Sequence, residues 1–187
     1  MSRAVHIILW IATVSLVVFL LVRFGGPLLS PLLQETGETE SVQSSPYLPL
    51  AGNEAPYFEL TDLVGNRVRL SDFANTPLLV TFWAGGVSDA ADQIKIFDDW
   101  RVSHPSALFT ILTVNSQEDK SVVKNLIDRG GYNVPVLLDS TGEAGEVYGV
   151  VTLPTSFFID GKGIIREVYI GIMSQKMIGD KGEQILR

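Results

Sequence analysis

The chain has 187 residues and a formal net charge of −7, with acidic and basic side chains interspersed along it. This length allows one domain and an appendage, and the absence of a basic stripe argues against nucleic acid as a partner. The chain contains no cysteine, which excludes disulfides, thiolate catalysis and thiolate metal sites. The histidines, His6 and His104, lie in unrelated stretches, so we expect no metal and no cofactor.

Residues 7–22 form an apolar run without a charge, between Arg3 and Arg23. A membrane-spanning helix needs about 17–25 residues, so this run is near the lower limit but long enough. A cleaved signal peptide is the alternative, but Arg23 closes the run and the next ten residues offer no small-residue cleavage site. We predict an uncleaved signal-anchor, with residues 1–6 in the cytoplasm on the basis of the positive charge.

Residues 23–50 place Gly, Pro, Ser, Thr and Glu between scattered leucines, which is typical of a juxtamembrane linker. The pattern becomes globular from residue 51, so we predict one domain over residues 51–187. Residues 58–61 and 68–70 flank a Val-Gly-Asn turn and predict a β-hairpin. Residues 78–83 are almost wholly apolar, as in a strand that is buried on both faces.

The remaining segments alternate between helical and strand patterns. Residues 89–101 predict a helix, with Asp89 as its N-cap and Asp92 in a capping-box position. Further strands are predicted at 109–114, 134–138, 155–159 and 164–170, and helices at 120–129, 142–148 and 174–187. The last two strands are joined by Asp-Gly-Lys-Gly, a hairpin turn. The order indicates a mixed α/β sheet with helices on both faces.

Several fragments resemble one family. They are GNEAPYF at 52–58, DLVGN at 62–66, LSDF at 70–73, TPLLVTFWA at 76–84, VPVLLD at 134–139, YGV at 148–150 and LPTSFFID at 153–160. In this order and spacing they are similar to the TlpA/ResA-type thioredoxin-like proteins, thiol-disulfide oxidoreductases with an AhpC-TSA-type domain. The resemblance covers nearly all of residues 51–187. It implies a thioredoxin-like α/β fold with an N-terminal hairpin and a central mixed sheet.

In this family, Phe-Trp-Ala is followed by two residues and then by Cys-x-x-Cys at the start of a helix. The resemblance therefore places Val87 and Ala90 at the two cysteine positions. Neither side chain can be a nucleophile, so dithiol exchange by the family mechanism is chemically impossible. Ser88 has no base nearby to activate it, and we expect Ser88 and Asp89 to cap the helix. Gly85-Gly86 predicts a flexible approach to this helix.

The other half of the family site is retained. Residues 152–155, Thr-Leu-Pro-Thr, match the loop whose cis-proline lies opposite the dithiol and whose backbone pairs with an extended substrate. Trp83 is the family's aromatic residue beside the site, and it lines a groove or belongs to the core edge. The predicted partner-binding residues are Trp83, Val87, Ser88, Asp89, Thr152, Leu153, Pro154 and Thr155.

These features lead to one main functional hypothesis. We expect a redox-inactive relative that binds a protein, a peptide or a small molecule at the outer face of the cell membrane. The family implies an alternative, thiol-disulfide oxidoreductase activity in redox homeostasis or cytochrome maturation, which Val87 and Ala90 contradict. A third possibility is a structural subunit of a membrane assembly, such as a cytochrome-maturation or respiratory complex.

Overall fold

The computed structural model describes residues 51–186, so the predicted segments 1–6, 7–22 and 23–50 lie outside the described residues. Within residues 51–186 no helix is long and apolar enough to cross a membrane. The strands are β1 (Glu59–Asp62), β2 (Arg67–Arg69), β3 (Leu78–Trp83), β4 (Thr110–Ser116), β5 (Val136–Asp139), β6 (Thr155–Ile159) and β7 (Ile165–Ile170). The α-helices are α1 (Ala90–Ser103), α2 (Lys120–Gly130), α3 (Glu143–Val147) and α4 (Gln175–Gln184), and Leu70–Phe73 forms a 3-10 helix.

The strands form one mixed sheet in the order β2-β1-β5-β4-β3-β6-β7. Strands β3, β4 and β5 are parallel to one another, whereas β1 and β6 run antiparallel to their central neighbours. This confirms the predicted order of hairpin, βαβαβ unit, hairpin and terminal helix. We call the edge at which β3, β4 and β5 end the carboxyl edge, and the opposite edge the amino edge.

Two apolar clusters cover the two faces of the sheet. On one face, Leu79, Ile111 and Phe158 belong to the cluster that also contains the buried side chains of α1, α2 and α4. On the other face, Val80 and Phe157 pack with residues of α3 and the segment that precedes β1. Alternate residues of each strand point to opposite faces, so the uninterrupted apolar runs in the sequence correspond to strands buried on both sides.

Both predicted hairpins are present, and an aspartate holds each turn at the amino edge. Asp62 Oδ1 accepts hydrogen bonds from the backbone N–H groups of Val64, Gly65 and Asn66 at 2.9, 2.7 and 2.8 Å. Desolvation disfavours the charged carboxylate, but these bonds and one from the Asn66 side chain hold the pKa of Asp62 below its ordinary value. The charged form therefore stabilises the turn.

Asp160 has the same role in the turn between β6 and β7. Its Oδ1 accepts from the N–H groups of Lys162 at 2.8 Å and Ile164 at 3.0 Å, while Arg166 Nε donates to Oδ2 at 2.7 Å. Asp160 is 3% exposed. Desolvation opposes ionisation, yet the Ile164 amide, Arg166 and the Lys162 amide together lower the pKa of Asp160.

Candidate functional site

The segment between β3 and α1 contains the two degenerate cysteine positions. Val87 is half-buried, and Ala90 is 1% exposed and begins α1. The Val87 N–H donates to the Ala84 carbonyl at 3.2 Å, and the Ala90 N–H donates to the Val87 carbonyl at 3.3 Å. Both positions therefore have the turn-to-helix placement that a dithiol would use, with two aliphatic side chains in its place.

The predicted capping of α1 by side chains is wrong. Asp89 occupies the N-cap position, but its backbone is left-handed at φ +70°, and its side chain makes no capping hydrogen bond. A capping side chain reaches the first free amides of a helix from an extended backbone, which Asp89 lacks. Ser88 is exposed and donates or accepts no hydrogen bond recorded within residues 51–186, so it does not cap the helix either.

Glu118, just after β4, holds the two glycines in front of this turn. Its carboxylate accepts from the Gly85 N–H at 2.6 Å, the Gly86 N–H at 3.0 Å and Asn115 Nδ2 at 2.6 Å. A Cβ on Gly85 would lie 3.0 Å from the Leu126 side chain, so a larger residue would crowd this approach. The glycine pair is thus fixed to the end of β4, in contrast to the flexible approach that the sequence predicts.

The loop before β6 contains a cis peptide bond between Leu153 and Pro154, as the resemblance implies. The Pro154 carbonyl accepts from the Gly171 N–H at 2.9 Å, and Thr155 Oγ1 donates to the Thr152 carbonyl at 2.6 Å. Within residues 51–186 no intramolecular hydrogen bond is recorded for the N–H or C=O of Leu153. Leu153 is half-buried, so these two backbone groups belong to a loop that is partly open to solvent.

The sheet register brings the two loops to one place. Phe82, near the end of β3, pairs with Thr155, the first residue of β6. The segment after Trp83 and the segment before Thr155 therefore leave neighbouring strands at the carboxyl edge. Five of the predicted site residues have accessible surface at the carboxyl edge: Val87, Ser88, Asp89, Thr152 and Leu153.

Trp83 is not part of an accessible surface. Its side chain is 0% exposed and belongs to the core cluster under α1, α2 and α4. The prediction that Trp83 contacts a partner is therefore wrong, and its interpretation as a core residue holds. Pro154 is buried and Thr155 is 5% exposed. These two residues therefore support the loop conformation and offer little side-chain surface to a partner.

A cleft of about 440 Å³ lies beside the cis-proline loop. Its walls come from the ends of β4 and β5, from α3 and from the loop before β6. We call it the Glu146 cleft, and it is lined by Ser116, Gln117, Asp139, Thr141, Gly142, Gly145, Glu146, Gly149, Val150, Val151 and Leu153. No group of three or more metal-ligating side chains suited to a metal ion occurs within residues 51–186.

Sequence reasoning missed both Glu118 and this cleft. The bonds from Glu118 to Gly85 and Gly86 span 33 and 32 positions, which no local pattern reveals. The useful signal is topological, because polar residues directly after parallel strands meet at one edge of the sheet. Ser116 ends β4 and Asp139 ends β5, so their juxtaposition follows once the strand order is known.

The chain is similar in sequence and in structure to known proteins. The model of the AhpC/TSA family matches residues 51–168. The thiol-disulfide oxidoreductase ResA of Bacillus subtilis is 32% identical over 129 residues, which cover 69% of this chain and 72% of ResA. The exposed lipoprotein thioredoxin Etrx1 of Streptococcus pneumoniae is 29% identical, with a TM-score of 0.62 over 69% of this chain and 99% of that one.

A further solved structure supports the fold alone. The DsbE-type thiol:disulfide interchange protein of Chlorobium tepidum has a TM-score of 0.67 at 22% identity, covering 73% of this chain and 98% of that one. The thioredoxin-like fold predicted from the sequence is thus confirmed. By the family match and the ResA similarity together, the chain belongs to the AhpC/TSA family, among its TlpA/ResA-like thioredoxin-like members.

Proposed function

We propose that this protein is a redox-inactive member of its family that binds an extended segment of a partner protein at the carboxyl edge. The observation that carries the proposal is the combination of an intact cis-proline loop with Val87 and Ala90 at the dithiol positions. Thiol-disulfide exchange requires a thiolate to attack a disulfide sulfur, and this chain has no sulfur nucleophile. The proposal is supported by a loop geometry that is retained without the reacting sulfur atoms.

The free backbone groups of Leu153 support peptide binding. An extended chain that runs past the loop can donate to the Leu153 carbonyl and accept from its N–H, in the manner of strand addition. Val87 offers a small apolar contact on the opposite side, and Asp89 favours a basic segment over an acidic one. Only a few hydrogen bonds and a small apolar contact are involved, so we expect a dissociation constant of roughly micromolar order.

We also propose that the domain lies outside the cell membrane, anchored by the apolar segment at residues 7–22. The charges at Arg3 and Arg23 and the length of the apolar run support this orientation. Alkaline carbonate should leave the protein in the membrane fraction, and external protease should digest the C-terminal domain in spheroplasts. Extraction by carbonate, or protection of that domain from protease, would contradict the proposal.

The redox part of the proposal is tested by insulin reduction with the purified full chain in a nonionic detergent. We expect no acceleration over the uncatalysed reaction in any thiol buffer. Catalysis above background would support the family activity instead. A protein preparation from which contaminating thioredoxins have been removed by affinity purification is the necessary starting material.

The binding part is tested by photo-crosslinking in intact membranes. A photoreactive residue at Thr152 should capture a partner, whereas the same residue at Lys162, which is exposed at the amino edge, should not. Equal capture at both positions, or capture at Lys162 only, would remove the carboxyl edge as the binding surface. Co-purification that survives extended washing in detergent would favour the alternative of a stable subunit in a membrane assembly over a transient binder.

A further inference from the structure

We propose that the Glu146 cleft receives a lysine or arginine side chain of the peptide that binds along Leu153. This inference rests on the proposed function and adds a chemical class of residue to it. Leu153 is part of both the cis-proline loop and the cleft wall, so a side chain projecting from a peptide at Leu153 can enter the cleft.

The charges around the cleft favour a cation. Asp139 and Glu146 line it, and no lysine or arginine from residues 51–186 does. None of the ion pairs recorded within residues 51–186 involves either carboxylate. Asp139 is 1% exposed and accepts hydrogen bonds from the N–H groups of Ala144 at 3.2 Å and Gly145 at 2.8 Å, but no basic side chain of the described residues pairs with it. A carboxylate that little water screens attracts a positive group, although desolvation of the two charges offsets part of that attraction.

The apolar wall fits the stem of the same side chain. Val150, Val151 and Leu153 form the side of the cleft next to the loop, and Val151 is 89% exposed. Lysine and arginine pack their methylene stems on apolar surface while the charged head reaches polar groups. The apolar residues lie on the side of the cleft next to the peptide, where the methylene stem would pack. Glu146 lies on α3, where the charged head would reach it.

A buried hydroxyl supplies a second, independent observation. Ser116 belongs to the cleft wall, and its Oγ is buried without a hydrogen-bond partner among the described residues. An unpaired buried hydroxyl has a free-energy cost that a ligand donor or acceptor removes. An ammonium or guanidinium head carries several N–H donors, which suit a cleft that is lined by a hydroxyl oxygen and two carboxylates.

The test uses the full chain in nonionic detergent micelles and acetylated, fluorescently labelled seven-residue peptides of alternating Ala and Thr. One position at a time is replaced by lysine, or by norleucine, which has a similar stem without the charge. At the position that faces the cleft, we expect lysine to bind about fivefold more tightly than norleucine at low salt. Glutamate at that position should bind more weakly than norleucine.

Variants then locate the source of the preference. Glu146→Gln should reduce the ratio of lysine to norleucine affinity to about twofold, since Asp139 remains, and Glu146→Lys should abolish it. Glu143→Lys is the matched control, because Glu143 is exposed on the same helix but does not line the cleft, and it should leave most of the ratio intact. Asp89→Asn tests the competing source of charge in the β3–α1 loop.

Each outcome has a distinct meaning. Equal binding of lysine and norleucine peptides would overturn the cleft proposal while leaving peptide binding at Leu153 in place. A lysine preference that disappears in Asp89→Asn but survives in Glu146→Lys would also overturn it. Failure of every peptide to bind would contradict the proposed function itself, and with it this inference.

Discussion

The loops at the two edges of the sheet differ in how completely their polar groups are satisfied. At the amino edge, Asp62 and Asp160 each fill a turn with hydrogen bonds to successive backbone amides. At the carboxyl edge, the Leu153 backbone and the Ser116 hydroxyl have no partner within residues 51–186, and Asp89 has a left-handed backbone without a capping bond.

This contrast separates stability from function within one domain. Local rules are followed where the chain only needs to turn, and they are broken where the family places its chemistry. Such violations are expected at sites of function, because unsatisfied groups and strained residues are retained only when surrounding structure supports them. The carboxyl edge keeps these unsatisfied groups although Val87 and Ala90 stand where the family has its two cysteines.

The largest expected effect is a gain of insulin reductase activity when cysteines are introduced at the two dithiol positions. The double variant Val87→Cys with Ala90→Cys should reduce insulin with measurable turnover, well above the rate of the unaltered chain. The first position precedes α1 and the second begins it, where the helix N-terminus stabilises a thiolate. The single variant Val87→Cys is the control and should not turn over. A folded but inert double variant would mean that the bonds from Glu118 to the glycine pair hold the loop away from the family geometry.

The amino edge should show the largest effect on stability. Asp160→Asn should lower the free energy of unfolding by about 2 kcal/mol at neutral pH, since it removes the charge from a buried, hydrogen-bonded group. The pKa of Asp160 is lowered in the folded state, so its contribution is present above the ordinary aspartate pKa and is lost as pH falls through the folded-state pKa. Urea unfolding at several pH values should show the difference shrinking below about pH 4.

The exposed ion pair of Asp128 with Lys124 provides the control for that experiment. Asp128→Asn should change stability by less than about 0.5 kcal/mol, because exposed pairs on a helix are screened by water. A pH-independent loss in Asp160→Asn would indicate a packing effect and contradict the electrostatic explanation.

The next largest effect on stability is expected from the hydrogen bonds that connect Gly85 and Gly86 to Glu118, just after β4. Glu118→Ala removes three hydrogen bonds and should cost about 1–2 kcal/mol of stability. Hydrogen exchange at the amides of Gly85 and Gly86 should accelerate in this variant. Asp119→Ala changes the adjacent exposed carboxylate, which makes no side-chain cap to α2, and should have little effect on either measurement. Unchanged exchange at both glycines would show that Glu118 does not hold them.

The smallest effect is expected at the strained N-cap. Asp89→Gly should stabilise the domain by about 0.5 kcal/mol, because glycine adopts φ +70° without a steric cost. Asp92→Gly, three residues further into α1, should instead destabilise by up to about 1 kcal/mol through loss of helix propensity. Thermal unfolding of the two variants compares them directly. Destabilisation by Asp89→Gly would show that the aspartate side chain makes a contribution that outweighs its backbone strain.

The sequence predicts the amino edge and the strand order better than the carboxyl edge. Apolar runs such as residues 78–83 identify buried strands directly, and the turn residues around Asp62 and Asp160 act within four positions of one another. Short-range signals of this kind are readable without the fold. The order of elements along the chain, together with the resemblance, then gives the topology.

The carboxyl edge depends on contacts that are distant in sequence. The accessibility of Trp83 depends on α1, α2 and α4 covering one face, which the Phe-Trp-Ala motif alone does not reveal. The left-handed backbone of Asp89 overrides a residue type that ordinarily caps helices. The Glu146 cleft forms where residues 116–117 at the end of β4 meet the stretch 139–153. Polar residues there could be found from the sequence only after the parallel strands are assigned.

The most direct test of binding at the carboxyl edge is hydrogen exchange of the full chain in detergent, with and without the protein that co-purifies with it. We expect slower exchange on binding at Leu153 and in the segment 85–89, because an extended partner segment would pair with the Leu153 backbone and cover the neighbouring loop. Exchange in α2 (Lys120–Gly130) should change little: Leu126 lies near Gly85, but the helix contributes none of the predicted binding residues and no wall of the Glu146 cleft as lined by residues 51–186. Protection confined to α2, with no change at Leu153, would contradict peptide recognition by the retained half of the site.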